Sequence, residues 1–71
     1  MDTTYGALVA GDMFVDMHGD MFIVDAVETF GPDNELVLTV TNPQGDRGHE
    51  YPYPTTAVTL VTDDEWEAQL V

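Results

Sequence analysis

Short apolar runs broken by turn formers, one of them alternating with the two-residue period of a strand, mark most of this chain, and the 3.6-residue period of a helix is confined to its C-terminal end. The alternation is cleanest from Glu35 to Thr41: Leu36, Leu38 and Val40 fall on one face, and Glu35, Val37, Thr39 and Thr41 on the other. That pattern predicts a half-buried strand. Met21 to Phe30 is rich in β-branched and aromatic residues and reads as a long strand. Met13 to Met17 forms an extended run, Gly48 to Tyr53 a short fourth strand ended by Pro54, and Ala57 to Val61 a fifth. The connections carry turn formers: Gly11-Asp12, His18-Gly19-Asp20, Gly31-Pro32-Asp33-Asn34, and the loop from Asn42 to Gly48. Residues 1–10 read as a loosely held entry.

The period changes only at the C-terminal end. Thr62-Asp63-Asp64-Glu65 has the form of a capping box, in which Thr62 caps the amide of Glu65 and Glu65 returns the bond. Val61 and Trp66 stand at the two positions of a hydrophobic staple. Three acids in the first turn suit the positive end of the helix dipole. These signals predict a helix over Asp63 to Leu70, too short to hold without docking, with Trp66 as its anchor.

Five short strands, tight turns and one terminal helix predict a mainly β fold: a small five-stranded antiparallel barrel with a short C-terminal helix. The whole chain makes one domain, with the barrel over about 8–61. Leu8, Gly11, Asp12 and Phe14 at the start, a Gly-centred hairpin, and then Phe22 and Val24 on the next strand resemble the opening of SH3-like and KOW-like barrels. The resemblance covers Leu8 to Val61 and implies an SH3-like barrel. An OB-fold is the competitor, but it places a helix between its third and fourth strands, where Thr41 to Gly48 shows no helical period.

Charge changes this picture most. Fourteen residues are Asp or Glu and one, Arg47, is Lys or Arg, giving a formal charge of −13. So small a body repels itself strongly in ordinary buffer. Either the protein works in molar salt, where the Debye length falls to ~3 Å, or it imitates a phosphate backbone. The acids recur from Asp2 to Glu67 with no block longer than three, lysine is absent, and Asp outnumbers Glu. This composition resembles that of small acidic proteins of extremely halophilic archaea. A mimic of DNA needs its acids in one array and has no reason to shed lysine elsewhere.

The same composition excludes several chemistries. Without cysteine there is no disulfide, thiolate or Cys-type zinc site. Serine is also absent, so the common nucleophiles are missing. One arginine cannot form the basic stripe that duplex nucleic acid requires. Single-strand stacking on Tyr51, Tyr53 and Phe30 is a remote option. No apolar run approaches the ~20 residues of a membrane span, and the N-terminus lacks the basic start of a signal peptide, so a cytoplasmic protein without membrane contact is expected.

Two polar clusters deserve a chemical reading. Asp16, His18 and Asp20 alternate around one turn, but three ligands are too few for a complete site, and acids flanking a hairpin tip account for them. His49 and Glu50 follow Asp46 and Arg47; a histidine beside carboxylates is a possible general base, yet an exposed loop with Arg47 paired to Asp46 or Glu50 accounts for these too. No catalytic residue, cofactor or metal is assigned, and the chain is expected not to be an enzyme.

The remaining candidates are apolar. With Phe14, Phe22 and Val24 inward, Met13, Val15, Met21 and Ile23 point outward from one hairpin and form a candidate interaction surface. Tyr51 and Tyr53 in Tyr51-Pro52-Tyr53-Pro54 make a second. The expected function is protein–protein contact, as a homodimer or an accessory adapter in a high-salt cytoplasm. The alternative is a DNA mimic that inhibits a nucleic-acid-binding protein.

Overall fold

The computed structural model describes residues 2–69 and is mainly β. Its strands are β1 (Asp2–Thr4), β2 (Met13–Val15), β3 (Met21–Phe30), β4 (Glu35–Thr41), β5 (Arg47–Glu50) and β6 (Ala57–Leu60). A 3-10 turn spans Tyr5–Ala7, and one helix, α1, spans Asp63–Gln69. Every strand pairing is antiparallel, in the order β1-β6-β2-β3-β4-β5. The ladder is open, with β1 and β5 at its ends.

β3 and β4 occupy the expected spans, and Leu36, Leu38 and Val40 are all buried; Val37, expected on the half-exposed opposite face, is buried as well. The N-terminal segment differs from the loose entry expected of it. Asp2, Thr3 and Thr4 pair with Thr59, Val58 and Ala57, so the sheet has six strands and not five. Three polar residues give no periodic signal. What recruits them is the next residue, Tyr5, which is buried and stands edge-on to Phe14 with ring centres 5.6 Å apart. Backbone bonds from Tyr5 N–H to Thr56 O (3.1 Å) and Gly6 N–H to Pro54 O (2.9 Å) continue the tie. A Cβ on Gly6 would lie 3.0 Å from the Pro54 oxygen, a contact tighter than nearly all side chains make, so that approach favours glycine.

Turn chemistry fixes the register of the β2–β3 hairpin. β2 stops at Val15 because Asp16 folds back: its Oδ1 accepts the N–H groups of His18 (2.9 Å) and Asp20 (3.0 Å). Gly19 supplies the positive φ, +84°. Phe14 then faces Phe22 across the ladder, and both turn toward the core. The core gathers Tyr5, Leu8, Phe14, Val24, Leu36, Leu38, Val40 and Val58, with Phe22 and Leu60 packed against it.

The molecule is elongated, with extents of 42 × 23 × 20 Å. A ten-residue strand runs ~33 Å at ~3.3 Å per residue, longer than so small a core can cover. Beyond Ala26 the β3 residues are therefore exposed, including Phe30 at the tip.

The helix starts where the capping box places it. Glu65 N–H donates to Thr62 Oγ1 (3.2 Å), and Thr62 N–H donates to Glu65 Oε1 (3.3 Å). Val61 is buried, but Trp66, the expected anchor, is only half-buried and lies outside the core cluster. The predicted last residue of the helix, Leu70, lies outside the described residues. These burials give an ordered prediction. Phe14→Ala should cost ~3–5 kcal/mol, the range of a fully buried aromatic, and Trp66→Ala clearly less. Denaturant unfolding of both variants checks the ranking.

Candidate functional site

The two ends of β5 set the geometry of the candidate surfaces. Along this strand Gly48 and Glu50 face the core side, opposite Val40 and Leu38, while Arg47 and His49 face outward, opposite Thr41 and Thr39. The ladder stops at Glu50, short of the expected Tyr53. Pro52 has no N–H to donate, and Tyr51 to Pro54 leave the sheet as a loop.

Arg47 does not pair with Asp46 or Glu50 as expected. Its Nε lies 3.4 Å from Asp25 Oδ2, and the Thr41 hydroxyl donates to the same oxygen. Asp25 sits at a register shift between Val24 and Ala26, a bulge that re-aims one side chain. The one Lys or Arg of the chain is thus held on the outer face of β3–β4–β5.

Glu50 is half-buried at the rim of the core, close to Asp16 and Asp20. Burial, and then the charges of Asp16 and Asp20, hold its carboxyl above the usual carboxylate range. Tyr5 lies beneath; its hydroxyl is also pushed up, first by burial and then by Glu50 and Asp16. Above this group opens a cleft of about 410 Å³, walled by Asp16, Met17 and His18 on one side and by Glu50, Tyr51 and Tyr53 on the other. Hence residues 32 positions or more apart in sequence meet at one rim, a juxtaposition no local pattern announces. The only signal was the outlying pair of tyrosines.

Tyr51 and Tyr53 are 74% and 80% exposed. Both also border a second cleft, with Asp33, Glu35 and Leu36 at the base of the β3–β4 turn. Tyr51 further shares a shallow face with Phe30 and Val37. The other candidate surface is assembled differently. Met13 pairs directly with Ile23, and Val15 with Met21, so the four lie together on the outer face of the hairpin, each half-buried. The structure does not bring these four together with the two tyrosines in any one cleft.

The polar clusters are also placed. Asp16 engages the hairpin backbone through Oδ1, while His18 and Asp20 are exposed. Among the described residues no three His, Asp or Glu side chains are arranged to hold a metal ion. Among the described residues no helix is long and apolar enough to cross a membrane.

The raised Glu50 carboxyl has a pH consequence. A carboxyl whose folded value is raised favours the native state when protonated, so its contribution is present below the unfolded value near 4.5 and is lost as pH rises through the folded value. Glu50→Gln mimics the protonated form. It should raise the melting temperature at neutral pH, and the advantage should vanish at acid pH. Thermal scans of both proteins across pH check this.

In comparisons with protein families, characterised proteins and solved structures, this chain matches none.

Proposed function

We propose that this chain is a non-enzymatic binding module that acts by protein contact, as an accessory or adapter in a high-salt cytoplasm. We read its five central strands, in the order β6-β2-β3-β4-β5, as an SH3-like barrel left open between β5 and β6; the run of consecutive antiparallel pairings from β2 to β5, with β6 returning beside β2, supports that reading, and β1 is then an added edge. The observation that carries the proposal is the exposure of Tyr51 and Tyr53 on either side of Pro52. Large aromatic rings held in water at the rim of two clefts have the character of contact residues, with an apolar body and a polar tip. The absence of Ser and Cys supports a role without nucleophilic catalysis.

The homodimer form of the reading would use Met13, Val15, Met21 and Ile23. These side chains already cover one another in cross-strand pairs, which leaves less apolar area free than the two tyrosines present. An adapter for a different protein is therefore the stronger form.

The distribution of acids supports the high-salt setting over DNA mimicry. Acids stand on β1, β3, β4, β5, α1 and the turns, from Asp2 at one end of the sheet to Glu50 at the other. A mimic needs one phosphate-like array facing a basic groove. Charge spread over every side is what screening by salt relieves.

On this reading the melting temperature of the isolated protein rises steadily from ~0.1 M to molar KCl. A partner retained by the wild type in molar KCl is lost by the Tyr51→Ala, Tyr53→Ala double variant, whose circular dichroism stays unchanged. A flat or falling melting temperature, together with tight low-salt capture of DNA-binding proteins, would replace this proposal with the mimic.

A further inference from the structure

We infer that the cleft between the β2–β3 turn and the Tyr51–Tyr53 loop takes an extended, arginine- or lysine-bearing segment of a partner protein, its cation between Asp16 and Glu50 and its neighbouring side chains on the two tyrosine rings. The inference rests on the preceding reading of Tyr51 and Tyr53 as the contact surface and adds the chemistry of what sits there.

Charge complementarity selects the occupant. The cleft joins an aromatic wall to two carboxylates, with Asp20 close by. The chain's one arginine cannot neutralise them, because it is held at Asp25 on the outer face, while Glu50 lies on the core side of the same strand. No lysine or arginine lines the cleft, whose nitrogen-bearing side chains are those of His18 and His49. The His18 and Asp20 N–H groups both donate to Oδ1 of the Asp16 carboxylate, so the turn holds that carboxylate in place through one oxygen and directs its bonds away from Oδ2. Burial first, and then repulsion from Asp16 and Asp20, raises the Glu50 carboxyl, and an incoming cation would relieve that repulsion.

Two features favour an extended segment over a compact surface. The cleft is walled on two sides only, by a turn and a loop. β5 is the end strand, so its outer backbone groups stand unpaired beside Glu50 and can pair with a chain laid along them. An arginine also gains from the faces of Tyr51 and Tyr53, which attract cations electrostatically. Because Glu50 is half-buried, its pairing is screened less by molar salt than that of the exposed acids.

The test uses the full chain in molar KCl and a blocked Leu-Arg-Leu-Arg-Leu peptide, followed by amide chemical shifts. Shifts should concentrate at Asp16 to His18 and at His49 to Tyr53. Glu50→Gln should weaken binding about tenfold, the loss of one close charge pair, and replacing both arginines by citrulline should do the same. Asp63→Asn, which removes an equal charge on α1, should change it by less than about twofold. If Asp63→Asn weakens binding as much as Glu50→Gln, the peptide senses only the overall field and the inference fails. If Tyr53→Ala abolishes binding while Glu50→Gln and citrulline do not, the tyrosine surface stands and the cation assignment falls. If the peptide does not bind, or no substitution at the cleft weakens it, both fall.

Discussion

The burial of Phe14 is the contact on which the rest of the structure depends. Its strand joins the two halves of the sheet: Phe14 pairs with Phe22 of β3 on one side and with Leu60 of β6 on the other. The ring is fully buried, edge-on to Tyr5 at 5.6 Å and tilted against Phe22 at 5.7 Å. A domain of this size buries only ~60% of its unfolded surface, so one central ring carries an outsized share of the cohesion. Through Tyr5 it also fixes the N-terminal segment. Through that segment's bonds to Pro54 and Thr56 it sets the loop that displays the tyrosines.

Charge sets the second constraint. All polar and charged side chains among the described residues stay at least partly exposed, and the buried set is apolar except for the Tyr5 hydroxyl. Repulsion is thereby kept at the surface, where ions can screen it. The single arginine is placed where a bulge points a carboxylate across β4, so it closes a bond between β3 and β5 and not a local loop pair. Glu50, like Asp12 and Asp16, is only partly exposed. It faces the core side because its strand alternates, and it is half-buried because the strand ends there.

These two constraints meet at the candidate site. The apolar core needs Tyr5 at its rim, and the alternation of β5 brings Glu50 beside it. The turn held by Asp16 then supplies the facing wall. The cleft is a consequence of closing a small core with few residues: the last ring inward, Tyr5, forms its floor, and the first rings outward, Tyr51 and Tyr53, form its wall.

The sequence by itself determined the spans of β3 and β4, because β-branched and aromatic residues favour an extended chain in the first and a two-residue apolar period buries Leu36, Leu38 and Val40 in the second. It determined the start of α1, because a capping box is a local hydrogen-bond arrangement. It also determined the dispersal of charge and the outward pairing of Met13, Val15, Met21 and Ile23. Tertiary structure decided what local patterns do not encode. Asp2 to Thr4 became a strand because the edge of β6 was free and Tyr5 had a core to enter. Gly48 to Tyr53 lost its second half because Pro52 could not join the ladder. Arg47 found Asp25, and Trp66 stayed half-buried, because partners across a sheet are chosen by register and distance in space. The meeting of Asp16 with Glu50 and the two tyrosines belongs to the same class: each residue was legible, but their common rim exists only once β5 is laid on β4 and the chain has closed over Phe14.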